Sequence, residues 1–396
     1  DIINGDEEYR WLDSLAEKGD ALNKLSDKEF DKAIKAITKK KKKEKKNIEF
    51  EIVGKRPNKT VHFRQDRVHD FAWFADPNWI VQKGVLEFEK SKKKITLWSM
   101  YLPENAKIWK SSIEYLHDSG YWYSQFFGEY PYNHITAVDG DMSAGGGMEY
   151  PNITVISRDD TKDLLEYVIM HEVGHNWLYG ILGSNERDHP WMDEGLNEWS
   201  NIRYWEKKYS ERNSQFIVQD FIQNKLGVGK NFNIQLYHYF QIPGIAKSKD
   251  RQPLNISSNE NFNMTNYGQN YTRVAVMMRF LQHYIGEEKI DKINQEFYET
   301  WKFRHPQPND YISIFKIHHD EDVSGFFDDM LNNATYIDYG IEKRGEDFYV
   351  TNHGTFNVPI EIAYYGSNGN EISRSWIRVD KSTVKLEKPK NSINAT

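Results

Sequence analysis

Two histidines four residues apart in the strongly helical stretch Val168 to Trp177 constrain this chain more than any other feature. An α-helix has about 3.6 residues per turn, so His171 and His175 share one face and can point at a single ion. Glu172, next to the first of them, can reach a water bound there. A catalytic zinc site takes three protein ligands and leaves one position open. Glu194, with eighteen residues between it and His175, is the candidate third ligand, inside Trp191-Met-Asp-Glu-Gly-Leu-Asn-Glu198. Between them Gly180, Gly183, Asn185 and Pro190 fit a loop that turns a second helix back against the first. Two neutral imidazoles and one carboxylate leave the ion positive, which lowers the pKa of bound water toward 7. Glu172 then serves as general base and afterwards as acid toward the leaving amine.

No cysteine occurs in the 396 residues, which excludes a thiolate zinc site, a disulfide scaffold, an iron–sulfur cluster and a cysteine nucleophile. Any metal falls to His, Asp or Glu. Lys and Arg number 52 against 59 Asp and Glu, and the net charge of −7 gives no reason to expect nucleic acid as a partner. Aromatic residues make up 14%, so a core rich in rings is expected. No apolar run approaches the roughly 18 residues of a membrane span. The first residue is Asp, and the chain reads as a processed or excised piece; the lack of cysteine suits an exported bacterial protein.

Four regions are expected along the chain. Residues 1–47 read as helical, with an apolar stripe of Tyr9, Trp11, Leu12 and Leu15, and end in the Lys39–Lys46 run, read as a solvated helix end or tether. Residues 48–102 alternate with period two in IEFEIV, TVHFRQ, VHDFAWFAD, VLEFEK and ITLWSMYL, a partial β unit. Residues 103–336 read as the catalytic domain. It opens with a helix from Ala106 to about Phe127 and returns to strands over 134–157 around Ser143-Ala-Gly-Gly-Gly-Met-Glu-Tyr150; after Thr161 it is almost all helical. Residues 337–396 alternate again, a C-terminal β module of three or four strands that stops short of a self-sufficient sandwich.

Three separated motifs together resemble the alanyl-aminopeptidase family of zinc metallopeptidases, gluzincins with a thermolysin-like catalytic domain that include leukotriene hydrolase. His171-Glu-Val-Gly-His175 with Glu194 is similar to the family zinc signature, Gly146-Gly-Met-Glu149-Tyr to its exopeptidase motif, usually written GAMEN, and Tyr271-Thr-Arg-Val-Ala-Val-Met-Met to the segment led by its oxyanion-donating tyrosine. The match covers about residues 70–340. The resemblance implies an α+β fold: a mainly helical zinc domain with a small mixed sheet, preceded by a partial β unit and followed by a partial β-sandwich module. It implies that His171, His175 and Glu194 bind one Zn2+, that Glu172 is the general base, and that Tyr271 stabilises the oxyanion. Glu149 would bind the substrate's free α-amine, with Gly145, Gly146, Gly147 and Met148 along the peptide as an edge strand. Glycines let another backbone approach closely, and an edge strand can pair with an extended peptide.

Two departures stand out. The family often has a carboxylate seven residues beyond the third ligand, where this chain has Asn201, and the usual NEG is Asp193-Glu194-Gly195 here. Glu198, one turn beyond Glu194, is on a face suited to supporting a zinc-bound imidazole, or is an ordinary solvent-facing glutamate. The functional expectation is a zinc aminopeptidase acting on peptides with a free N-terminus. An endopeptidase with an open cleft and a catalytically silent scaffold keeping the fold are the alternatives.

Overall fold

The computed structural model describes residue 2 and residues 5–48, 60–140, 142, 146–157, 161–209, 238, 248–319, 323–380 and 383–396, with the backbone alone over 41–48. It is a mixed helix and sheet fold. Two helices come first, α1 (Asp6–Asn23) and α2 (Asp27–Ile48). The inward stripe of α1 is Leu12, Leu15, Ala16 and Gly19, following the i, i+3, i+4, i+7 rule. Tyr9 and Trp11 flank that stripe on either side, and they stand 36% and 61% exposed.

Five strands build the central sheet: β1 (Ile80–Glu87), β2 (Lys94–Tyr101), β3 (His134–Asp139), β4 (Gly147–Met148) and β5 (Ile153–Ile156), in the order β1-β2-β3-β5-β4. The first two form an antiparallel hairpin with Ile80 opposite Tyr101, β2, β3 and β5 run parallel, and β4 is the antiparallel edge. A parallel step requires a crossover. Between β2 and β3 it is made by α3 (Ala106–Trp109) and α4 (Ser112–Phe126), two helices where one was expected. Alternation on β2 sorts the sheet faces: Ile95, Leu97 and Tyr101 enter the main core, and Trp98 packs with Ala16 and Val81 under α1.

The expected β unit over 48–102 is thus corrected in two ways. Residues 80–101 do not stand apart, because the ladder from Thr96–His134 to Met100–Val138 joins them to the sheet of the following region. The segments TVHFRQ and VHDFAWFAD form no ladder beyond one bridge between Ile2 and Phe63. Phe63, Phe71 and Trp73 are 56%, 59% and 73% exposed, so their alternation has no second layer to pack against. This segment instead straps the helical body: Tyr132 donates to the Arg67 carbonyl at 2.7 Å, and His69 Nε2 lies 3.0 Å from the Tyr179 carbonyl. Of IEFEIV, Ile48 closes α2 and the rest lies outside the described residues.

Beyond the sheet follow α5 (Lys162–Gly174), α6 (Leu196–Lys208), α7 (Met264–Ile285), α8 (Glu287–Trp301), α9 (Pro308–His318) and α10 (Ser324–Leu331). The Thr161 hydroxyl caps α5 by accepting from the Leu164 N–H. Trp109, Trp177, Trp191 and Trp199 are fully buried in the core these helices share with the sheet, the ring-rich interior the composition implied. At Gly174 the helices meet so closely that an added Cβ would lie 2.1 Å from Asn197 Oδ1 and 2.3 Å from the Tyr123 hydroxyl.

The C-terminal region holds six strands among the described residues, more than the three or four expected. They are β6 (Tyr339–Arg344), β7 (Asp347–Asn352), β8 (Ile360–Tyr365), β9 (Glu371–Ile377), β10 (Thr383–Lys385) and β11 (Asn394–Ala395). They form two three-stranded sheets, β10-β7-β6 and β11-β8-β9, around Phe348, Val350, Ile362, Tyr364, Val379, Leu386 and Ala395. Strand β6 escaped notice because four of its six residues are exposed, and β10 and β11 are only three and two residues long. No helix among the described residues is long and apolar enough to cross a membrane.

Gly174→Ala should destabilise the fold by about 1–3 kcal/mol through overpacking, read by denaturant unfolding. Gly268→Ala in α7, where a Cβ meets nothing within 4 Å, is the control and should be neutral or stabilising.

Candidate metal centre

Helix α5 and its C-cap aim His171, Glu172 and His175 at one point because the opposite face, Leu165, Ile169, Met170 and Val173, is held in the core. Facing it, a single π-helical turn, Trp191–Gly195, leads into α6 and presents Asp193 and Glu194 together. Widened turns of this kind recur at functional sites. His171 Nε2 and His175 Nε2 are 3.1 Å apart, and each is 3.2 Å from Glu194 Oε2. Ligands about 2.0–2.1 Å from a tetrahedral zinc would stand about 3.3 Å from one another. The triangle matches that spacing, and its three residues form a group able to hold a metal ion.

Behind each imidazole stands a carboxylate. His175 Nδ1 is 2.5 Å from Asp193 Oδ1, and His171 Nδ1 is 3.3 Å from Glu198 Oε2. The Asp193 partner fixes the proton of His175 on Nδ1 and leaves its Nε2 lone pair for a cation, while His171 Nδ1 also meets Asn201 Nδ2 at 2.8 Å. Asn201 Nδ2 donates to the same Glu198 oxygen at 3.0 Å, while Asn201 Oδ1 accepts from Tyr123 at 2.7 Å. The other Glu198 oxygen accepts from the Tyr167 hydroxyl and lies 3.0 Å from His238 Nε2. Glu198 is 4% exposed and faces His171, so it is not the solvent-facing glutamate of the second reading.

The electrostatics point the same way. Burial opposes charging the imidazoles, yet Glu194 and Glu198 outweigh it and raise His171 to about 10, and Asp193 and Glu194 raise His175 well above the usual histidine value. Glu198 and Glu194 are held well below the carboxylate range: burial works against ionisation, but the imidazoles beside them prevail. The pocket therefore demands positive charge, which a divalent cation supplies. Glu172 differs: burial pushes it up to about 8 against the pull of His171 and His175, and its Oε2 has no hydrogen-bond partner.

The remaining expected residues converge on a cavity of about 1340 Å³. In β4 only Gly147 and Met148 form the ladder, opposite Ile156 and Val155. Gly146 precedes them in a left-handed turn at φ +68°, and Gly145 lies outside the described residues. Gly147 sits so close to α5 that a Cβ would come within 2.4 Å of Glu172 Cγ. Glu149 offers a carboxylate oxygen within 4.8 Å of Glu172 and His175. On α7 the Tyr271 ring stacks on His171 at 6.0 Å, and burial, then Glu194, pushes its hydroxyl far up, so it stays a donor.

The sequence reading overlooked several lining residues: Asp193, seen only as a departure from NEG; His238; and Asp70, Tyr179 and Glu186. Only Asp193 left a signal, a carboxylate adjacent to a proposed ligand.

The Peptidase family M1 domain model matches residues 118–330, more than half of the chain. The chain belongs to peptidase family M1. It is 21% identical over 272 residues to Aminopeptidase M1-D of Oryza sativa subsp. japonica, covering 64% of this chain and 28% of that protein. It is 20% identical over 340 residues to Probable aminopeptidase 2 of Sulfurisphaera tokodaii, covering 80% of this chain and 40% of the relative. Among solved structures, Legionella pneumophila aminopeptidase A in complex with aspartic acid aligns with a TM-score of 0.57 at 14% identity. That alignment covers 78% of this chain and 35% of the Legionella chain and shows a shared fold. The chain thus spans well under half the length of these M1 relatives.

Asp193→Asn should weaken metal affinity by about 10–100-fold, because it removes the carboxylate behind His175. Competition with a chromogenic chelator measures the loss; an affinity equal to wild type would remove Asp193 from the site's support.

Proposed function

We propose that this M1 chain is a zinc-dependent aminopeptidase that holds one ion per chain through His171, His175 and Glu194 and releases N-terminal residues from peptides. The observation that carries the reading is the near-equilateral triangle of two ring nitrogens and one carboxylate oxygen, with the unpartnered Glu172 carboxylate beside it. A zinc ion there would supply Lewis acidity, acidifying water and polarising a carbonyl.

The chain's own residues would do the rest. Glu172, raised to about 8 by burial, has a proton affinity matched to taking a proton from the attacking water and returning it to the leaving amine near neutral pH. Tyr271, held protonated, would donate to the oxyanion as it forms. Strand β4 is last in the sheet order, so its outer edge is open to an extended peptide. Glu149, at the end of that strand and beside Glu172, would hold the free α-ammonium and so place the first peptide bond at the reacting centre. The exopeptidase reading over the endopeptidase one rests on that carboxylate.

Glu172→Gln should keep its metal and lose about 10²–10⁴-fold in kcat. An aminoacyl chromophore should be cleaved while its N-blocked form is not; equal cleavage of both would reject the exopeptidase reading alone. A chelator should lower Tm relative to the zinc-loaded chain, since metal binding only the folded state stabilises it. A Tm unmoved by chelation would contradict a preformed site.

A further inference from the structure

A strained residue stands on the wall of the cavity. Tyr179 has φ +113°, a backbone conformation that strains any residue with a Cβ and leaves glycine free. Glycine is the next residue, but Gly180 has no positive φ and answers a different need: a Cβ there would come 2.8 Å from the Asn176 carbonyl oxygen. The turn around Tyr179 is closed by its own backbone. The Gly180 N–H donates to the His175 carbonyl at 2.8 Å, the Leu182 N–H to the Trp177 carbonyl at 2.8 Å, and the Tyr179 N–H to the Leu182 carbonyl at 3.2 Å. Strain persists where the surroundings over-determine the backbone in this way, and such residues cluster at functional sites.

The ring does not fill the core. Trp177, Leu178, Ile181 and Leu182, on either side of it in sequence, are buried in the main core, whereas Tyr179 belongs to no hydrophobic cluster among the described residues and lines the cavity. The strap braces it from outside: His69 Nε2–H donates to the Tyr179 carbonyl at 3.0 Å, and the two rings meet edge to face at 4.4 Å. Behind His69, Val68 packs on the main core and the Arg67 guanidinium lies 4.8 Å over the Phe303 ring. Leu178, just before Tyr179, sets its carbonyl 3.2 Å from His175 Nδ1, the atom that also faces Asp193. Burial, then the charges of Glu186, Asp70 and Glu149, push the Tyr179 hydroxyl up to about 12, so the ring stays neutral beside them.

We propose that the Tyr179 ring is a specificity-determining wall that closes the cavity beyond the first residue of the peptide, so that a chain extended at its N-terminus is shut out by bulk. This rests on the aminopeptidase reading and deepens it. Glu149 would recognise the charge of the amine, and Tyr179 would limit the chain ahead of the scissile bond to one residue. The strain follows from aiming a ring at the amine end of the cavity from a turn whose backbone is already fixed.

Affinity and product identity test the wall. On the zinc-loaded protein, titration calorimetry compares leucine hydroxamate with glycyl-leucine hydroxamate, which carries one more residue on the amine. The extended ligand should bind the wild type at least about tenfold more weakly. Tyr179→Gly and Tyr179→Ala should each shrink that ratio to within about threefold, and Tyr179→Phe should keep it. The altered amine is common to every variant, so the change in ratio reports the ring. With a dipeptidyl chromophore, mass spectrometry should find free amino acids from the wild type and intact dipeptide from Tyr179→Gly. Thermal unfolding should place Tyr179→Gly above Tyr179→Ala, since only glycine relieves the positive φ; Tyr179→Ala decides the ratio if Tyr179→Gly does not fold. A wild type that binds both ligands equally, a ratio unmoved in Tyr179→Gly and Tyr179→Ala, or a Tyr179→Ala as stable as Tyr179→Gly would overturn the proposal. If the hydroxamate ratios behave as expected while no peptide is cleaved, the aminopeptidase reading falls and the wall stands. If single residues are released but the ratio ignores Tyr179, the wall alone falls.

Discussion

Burying a carboxylate costs several kcal/mol unless positive charge sits beside it, and this fold buries Glu172, Asp193 and Glu198 to 6%, 1% and 4% exposure around two imidazoles. Most of the architecture can be understood as holding that arrangement still. The apolar face of α5 locks its polar face inward, and Gly174 lets α5 and α6 close to contact distance. The Tyr123 hydroxyl reaches Asn201, which bonds Glu198, which faces His171. A side chain deep in the core thus sets the orientation of an imidazole at the cavity floor. A partly satisfied buried network would be worse than an apolar core, so the chain of partners is the condition under which the charge can be kept.

How much of this was legible in the sequence depends on the range of the signal. The His171–His175 pair is written in helical periodicity, a local property, and the structure brings both rings to Glu194 across a connection of eighteen residues. Tyr271 was found through its motif and lies stacked on His171. Glu198 was left open because helical phase says which face a residue is on and not whether that face is covered. Burial decided it, and that burial comes from Tyr167 and His171 of α5 and from His238 as much as from α6. Asp193 was in plain view, but the i→i+5 turn that lets two adjacent carboxylates face one helix has no sequence signature of its own.

The strands show the same limit from the other side. Period two in ITLWSMYL marked β2 correctly, since both sheet faces are covered, one by the main core and one by α1. The same period in VHDFAWFAD marked no strand. Alternation records that successive side chains face opposite ways; a ladder also needs a neighbouring backbone with free donors and acceptors, and residues 60–78 have a helical body beside them instead. His69 and Arg67 reach that body through the Tyr179 carbonyl and the Tyr132 hydroxyl, which brings Asp70 to the cavity wall.

Asp70 lies far from the zinc motif in sequence and Glu186 within the connection between His175 and Glu194, and the fold brings both to the cavity wall. Around the imidazoles the donor atoms are drawn to 3.1–3.2 Å, a spacing that only a small cation without a shell of its own hydrogens can occupy. One side chain further out, carboxylates of Glu149, Glu186 and Asp193 form a second group on the wall of the same cavity. Asp193 belongs to both sets, through His175 on one side and the outer carboxylates on the other.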